Sequence, residues 1–261
     1  MTHQNKAAER AYYDQLFASR KRFDQFPDDR IYVVVANAAS RATPGRTALD
    51  LGCGAGTQAL CLMRDGFVVV SADLSPEATK LCRSNTTGAR NFIGVINADA
   101  EALPLAGASV DACVCSLFLH HFSSLETVAA ELQRVVRPGG VVVATDANAH
   151  NPFSWLFFNV IHRVRPMPWV TPDQRALHRT EITRAFGQHG FGDFEFRSFS
   201  TELRRDWLGK SFAITVNFRA RQLLLALSNV ALPPLSRGNI LLSTFRRQGD
   251  PGRSRPTART A

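Results

Sequence analysis

Asp50, Gly52, Gly54 and Gly56 stand at every second position where an apolar run over residues 47–51 gives way to a helical pattern from Thr57 to Met63. Glycines at a strand-to-helix turn let a ligand lie against the backbone. A Cβ at any of the three would fill that space or resist the positive φ that a tight turn often needs. The spacing departs from the dinucleotide fingerprint G-x-G-x-x-G: the third glycine comes one residue early, and an acid precedes the first by two. An acid there suits a cationic ligand better than a phosphate. Further on, the run Val68-Val69-Val70-Ser71-Ala72 ends in Asp73, and an acid closing a second strand can accept both hydroxyls of a ribose. Proton transfer has two candidates, His121 in the pair His120-His121 and His150 in Asn148-Ala149-His150-Asn151. An imidazole near neutral pKa can deprotonate a hydroxyl, although in-line placement of the reactants alone supplies much of a group transfer.

Those residues need a scaffold of alternating elements. Apolar, β-branched runs predict strands near 47–51, 68–72, 92–97, 110–115 and 140–146, and helical spacing predicts helices near 57–65, 76–86 and 124–136. Strand, helix, strand with short links implies parallel pairing and right-handed crossovers. Ligands of such sheets bind outside the carboxyl ends of the strands, where Asp50, Asp73, Asp99 and Ser116 all fall. Two further helices are expected over 7–17 and 28–40. A helix over 180–189, a sixth strand over 194–200 and a last strand over 239–245 follow later.

Asp50-x-Gly52-x-Gly54-x-Gly56 resembles motif I of the class I S-adenosylmethionine-dependent methyltransferases. Three more stretches are similar to that family in the same order: the strand ending in Asp73, the segment Asp99-Ala100-Glu101-Ala102-Leu103-Pro104, and the strand 110–117 followed by Arg134-Val135-Val136-Arg137-Pro138-Gly139-Gly140. The resemblance covers residues 47–146 and is closest to the small-molecule, type 11-like branch. It implies a doubly wound, mostly parallel seven-stranded sheet, Rossmann-like, with helical cap insertions and the last strand antiparallel. It also implies S-adenosylmethionine as cofactor. Gly52, Cys53, Gly54 and Gly56 would admit it, Asp50 would lie near its amino acid end, Asp73 at its ribose and Asp99 at its adenine, with Leu74, Ala100 and Ser116 also cofactor-binding. Tyr12-Tyr13 resembles the aromatic pair of an N-terminal helix that closes over the cofactor. The motif of nucleic-acid amino-methyltransferases, an acid, amide or serine followed by two prolines and an aromatic, is absent here, where Ser116 is followed by Leu117-Phe118-Leu119.

The resulting domain expectation is N-terminal helices over 1–44, a cofactor-binding core over 45–150, cap helices and two strands over 151–247, and a disordered tail over 248–261. The cap, at 151–180 and 202–235, carries Trp155, Phe157, Phe158, Trp207 and a leucine run at 223–225. A small acceptor of hydrophobic or lipid-like character is therefore expected: a secondary metabolite, a quinone or a lipid-linked glycan. Peripheral membrane contact fits the same greasy helices. Residues 148–246 hold thirteen Arg and Lys against six Asp and Glu, a net of +7, whereas residues 45–147 hold seven against ten, a net of −3. This asymmetry keeps open an RNA methyltransferase, although nucleic acid is the less favoured partner, and a non-catalytic S-adenosylmethionine-binding subunit is the rival from another class. The five cysteines show neither C-x-x-C spacing nor a histidine cluster, the first residues lack a signal-peptide pattern, and no apolar run is long enough to span a bilayer. The expectation is a reduced, cytoplasmic protein with no metal.

Overall fold

The computed structural model describes residues 5–19, 30–164, 171, 173–200, 223 and 232–249. The expected second cap insertion lies almost wholly outside these, as does nearly all of the expected tail. The chain opens with α1 (Lys6–Ala18), whose N-cap Asn5 accepts from the Ala8 amide at 3.1 Å, and α2 (Arg30–Ala42). There follow β1 (Thr47–Leu51), α3 (Thr57–Arg64), β2 (Val68–Asp73), α4 (Pro76–Thr86), β3 (Phe92–Asn97), β4 (Val110–Ser116), α5 (Glu126–Val135) and β5 (Val136–Ala147). Ser75 caps α4 by accepting from the Ala78 amide, with Pro76 preset for a first helical turn.

The seven strands form one sheet in the order β3-β2-β1-β4-β5-β7-β6. Pairing is parallel from β3 to β5, and β7 (Ile240–Arg247) runs antiparallel between β5 and β6 (Phe191–Phe199). Both faces of the central strands are covered, so side chains alternate between two cores. Leu49, Leu51, Cys113, Cys115, Val142 and Ala144 face α5 and α8 (Arg179–Gln188), meeting Val128, Leu132, Ile182 and Phe186. Ala48, Val69, Ala112, Val114 and Val143 face α2 and α3, meeting Val35, Ala39, Ala59 and Leu62. Strand order reverses at β1, which pairs with β2 on one side and β4 on the other, so the glycine turn leaves the sheet at its topological switch point.

Two strands start three or more residues before the sequence expectation. β5 begins at Val136 and runs through Pro138-Gly139-Gly140, absorbing the irregularity in a register shift opposite Val110 and Ala112. Gly140 has no room for a side chain there, since a Cβ would lie 2.8 Å from the carbonyl oxygens of Arg137 and Asp111. β6 begins three residues early, at Phe191, whose ring joins the Phe186–Phe245 cluster. After β5 the chain forms α6 (Pro152–Leu156), a widened π turn over Phe157–Ile161 and the single turn α7 (His162–Val164). A last short helix, α9 (Pro234–Arg237), leads into β7.

Candidate active site

The glycine turn is built from left-handed backbone: φ is +72° at Gly52, +50° at Gly54 and +86° at Gly56. The Gly52 and Cys53 amides both donate to the Ala72 carbonyl at the end of β2, and Gly56 N–H closes on the Cys53 carbonyl at 2.8 Å. A Cβ on Gly52 would meet the Phe118 ring at 2.2 Å, and one on Gly54 would meet the Phe17 ring of α1 at 3.1 Å. The outer side of the turn is thus roofed by two aromatic rings, one from the β4–α5 link and one from α1.

Asp73 spans the turn. One carboxylate oxygen accepts from Gly54 N–H at 2.9 Å and the other from Ser75 N–H at 2.9 Å. Burial pushes its carboxyl up, and those two amide bonds oppose the shift. Asp50 is 1% exposed and its Oδ2 has no hydrogen-bond partner. Burial first, then the nearby Asp73, raise its carboxyl to about 7. An orphaned buried acceptor is costly unless a donor or cation arrives to meet it. Asp99, on the loop after β3, accepts from the Glu101 amide at 3.0 Å and pairs with Lys6 Nζ of α1 at 2.6 Å, while Lys6 also pairs with Glu101. Of the remaining sequence-named residues, Cys53 and Ala100 are buried and Leu74 is half-buried. The Ser116 hydroxyl is spent on the Gln58 side-chain carbonyl at 2.7 Å, and Gln58 in turn donates to the Tyr32 carbonyl.

α1 reaches this cradle at three places, Asp99, Gly54 and Ser75. Besides Lys6 on Asp99 and Phe17 over Gly54, Asp14 accepts from Ser75 Oγ at 2.6 Å, and the backbone amide of Asn5 donates to Asp173 Oδ2 at 3.0 Å. The loop that carries Asp173 also supplies Gln174 and Arg175. Arg175 Nε donates to the Phe122 carbonyl at 2.9 Å, its amide donates to the His120 carbonyl, and its guanidinium pairs with Glu181.

Beneath α1 lies a polar group built around the histidine pair. His120 Nδ1 and its own backbone amide both sit 2.9 Å from Asp146 Oδ1, at the end of β5. Burial drives His120 down to about 4 and Asp146 up to about 8, which favours a net-neutral pair. His121 pairs through Nδ1 with Glu9 of α1, and its Nε2 lies 3.3 Å from Tyr13 Oη. Gln174 Nε2 donates to Tyr13 Oη at 3.3 Å and lies 3.4 Å from the His121 ring. Burial and the neighbouring His120 lower His121, and Glu9 opposes them. The other candidate, His150, stands elsewhere: its Nε2 accepts from the Arg179 amide at 3.2 Å at the start of α8, and its ring packs edge-on against His178 at 4.4 Å. The structure therefore groups His121 with Glu9, Tyr13 and Gln174, and groups His150 with His178 and Arg179.

Lys6, Glu9, Asp14, Asp146 and Gln174 were not singled out from the sequence. Asp146 alone left a signal, as an acid closing the fifth strand in the way that Asp50 and Asp73 close the first two.

The comparisons with known proteins agree with this geometry. Residues 49–144 match the family described as a methyltransferase domain. Residues 49–144 of this chain are a methyltransferase domain. An uncharacterised methyltransferase of Synechocystis sp. is 31% identical over 140 residues, covering 53% of this chain and 59% of the relative. The demethylmenaquinone methyltransferase of Beutenbergia cavernae is 30% identical over 149 residues, covering 57% of this chain and 59% of the relative. The chain thus spans little more than half the length of these curated relatives. Among solved structures, a Haemonchus contortus phosphoethanolamine N-methyltransferase in complex with phosphomonomethylethanolamine and S-adenosylhomocysteine superposes with a TM-score of 0.67 at 16% identity. That alignment covers 95% of this chain and 61% of the other, a likeness of fold.

Proposed function

We propose that this protein transfers the methyl group of S-adenosylmethionine to a small hydrophobic or lipid-like acceptor. The observation that carries the reading is the orphaned, buried Oδ2 of Asp50, next to a glycine turn held open by Asp73. Bound there, the cofactor supplies an electrophilic methyl group on a sulfonium. The residues fit it. Asp50 offers its buried anion to the cofactor's cationic amino acid end. Asp73 is placed to accept ribose hydroxyls once its own amide bonds adjust, and Asp99 offers an acceptor to the adenine amino group in place of Lys6. Phe17 and Phe118 keep water from the turn, which strengthens every charge interaction beneath them. His121 is the candidate base and His150 the alternative.

The acceptor's hydrophobic character rests on the chain after β5. In residues 152–164 the polar Ser154 and His162 are buried, while Trp155, Leu156, Val160, Ile161 and Val164 are exposed, Val164 by 81%. That is the reverse of an ordinary surface helix. It suits an apolar substrate, or a membrane surface from which one is drawn. No described helix is long and apolar enough to cross a membrane, so such contact would be peripheral. A relative named for a demethylated quinone points the same way.

The test is to incubate the protein and methyl-labelled S-adenosylmethionine with host extract and follow the label. Label in the organic-extractable fraction supports the reading. Label in nuclease-sensitive material would replace it with an RNA methyltransferase. Cofactor binding with no transfer to any fraction would replace it with a non-catalytic binding subunit.

A further inference from the structure

The one side chain that α1 buries fully is a carboxylate, Glu9, 7% exposed. Tyr12, Tyr13 and Phe17 on the same helix are less deeply covered. A charged group in that place costs more than an apolar one unless its partner repays the desolvation, so packing does not account for it. Its partner is His121. Glu9 Oε1 closes on Nδ1 and has no other hydrogen-bond partner, so a carboxylate there favours the tautomer that carries its proton on Nδ1 and leaves Nε2 facing the Tyr13 hydroxyl at 3.3 Å. A hydroxyl within reach of Nε2 shows where an acceptor hydroxyl could stand.

We propose that Glu9 is a positioning residue for methyl transfer to a hydroxyl acceptor: seated on α1, it fixes His121 in the tautomer whose Nε2 takes the acceptor's proton, so the base is complete only when α1 is docked. The proposal rests on the methyl-transfer reading above. The groups facing His121 are Glu9 and Tyr13 from α1, His120 beside it, Asp146 from β5, Asp73 from β2, and Gln174 from the loop before α8. Burial and His120 keep the ring neutral and able to accept a proton. Burial and Glu9 push the Tyr13 hydroxyl up, so it stays protonated and occupies Nε2 until an acceptor hydroxyl takes its place.

The step balances. The acceptor oxygen gains the methyl and gives its proton to Nε2, while the electron pair of the methyl–sulfur bond stays on sulfur. The positive charge lost as the sulfonium becomes a neutral thioether reappears on the imidazolium, beside the Glu9 carboxylate. The pocket's net charge is therefore the same before and after. α1 is also the element seated on Asp99 and Ser75, at the cofactor cradle, so the base's partner arrives on the helix that covers the cofactor.

The test uses the full-length protein with ¹⁵N-labelled histidine and S-adenosylhomocysteine as the probe. In the wild type, the His121 ring should show the neutral Nδ1–H form. Glu9→Gln should mix the tautomers, lower the pH at which the ring titrates, and slow label transfer into the acceptor fraction by about a hundredfold, with S-adenosylhomocysteine affinity within about twofold of wild type. Glu9→Asp should recover part of the rate, which loss of a merely structural contact would not predict. Unchanged His121 signals and an unchanged rate in Glu9→Gln, with the probe still bound, would overturn the proposal. Failure of the wild type to bind the probe would overturn the methyl-transfer reading and the proposal with it. Should Glu9→Gln not fold, the same spectra on Glu9→Asp decide, because a shorter carboxylate must alter the ring signals if it orients the ring.

Discussion

Asp50→Asn is the substitution that most directly tests the cradle, because its effect on stability and its effect on binding have opposite signs. The Asp50 carboxyl is raised from 3.8 to about 7 by burial and by Asp73. A group whose folded pKa exceeds its unfolded one contributes stability that is fully present below the unfolded value and is lost as pH rises through the folded value. In the ligand-free wild type that loss therefore accrues between about pH 4 and pH 7, at ~1.4 kcal/mol per pH unit, reaching at most ~4 kcal/mol. Asparagine keeps the shape without the titration. Unless its amide is left wholly unpaired, ligand-free Asp50→Asn should be more stable than wild type by roughly 2–4 kcal/mol at about pH 8, or ~5–15 °C in Tm. Asp146, raised for the same reason, is common to both proteins and cancels. The assay is thermal unfolding across that pH range, with and without S-adenosylhomocysteine. The advantage of the variant should widen between about pH 4 and pH 7 and flatten above. Saturating S-adenosylhomocysteine should reverse the order, because only the wild type has an anion to meet the ligand's ammonium. A stability difference that does not vary with pH, or equal stabilisation of both proteins by the ligand, would refute the assignment of Asp50.

Three further outcomes follow from the same geometry. Asp73→Ala removes acceptors from two backbone amides as well as from the ribose, and should weaken S-adenosylhomocysteine binding by roughly ten- to a hundredfold by calorimetry; unchanged affinity would remove Asp73 from the site. Gly52→Ala places a methyl 2.2 Å from the Phe118 ring at φ +72°, and should cost about 1–3 kcal/mol in denaturant unfolding along with cofactor affinity. A neutral result would mean that the turn relaxes freely. Lys6→Ala releases α1 from Asp99 and Glu101 and should speed proteolytic cleavage within α1 several-fold, with the sheet left intact. A cleavage rate equal to wild type would show that the remaining contacts of α1 hold it alone.

Much of the architecture was legible because period and termination carry it. β1, β2, β3 and β4 lie where alternating or continuous apolar runs end in Asp50, Asp73, Asn97 and Ser116, and the order of runs dictates parallel crossovers. The start of β5 was not legible. Pro138-Gly139-Gly140 has the composition of a turn, and only the carbonyl oxygens of Asp111 and Arg137 pressing on Gly140 show why a bulged strand needs that glycine. Ser116 was legible as a strand end, but its hydroxyl is committed to Gln58. A sequence pattern locates a polar group without saying which partner takes it.

The same limit explains why the two halves of the site differ in readability. The acids of the cofactor half sit at strand ends, so the register that orders the sheet also delivers them to one edge. The base half joins α1, the β4–α5 link, β5 and the loop before α8, through pairs such as Tyr13 with His121 and Tyr13 with Gln174 that lie 108 and 161 residues apart in the chain. On α1 the charged residues Lys6, Glu9, Arg10 and Asp14 have the spacing of any solvated helix face, and no local rule separates Glu9 from the rest. Arg10 remains half exposed, paired with Asp14 along the helix, whereas Glu9, one position earlier, is turned onto a histidine. One step of 100° around a helix decides which of them is buried. That rotation is set by where Lys6, Asp14 and Phe17 land on the cradle, so the acid that orients His121 is placed by the cofactor half of the site rather than by its own neighbours in sequence.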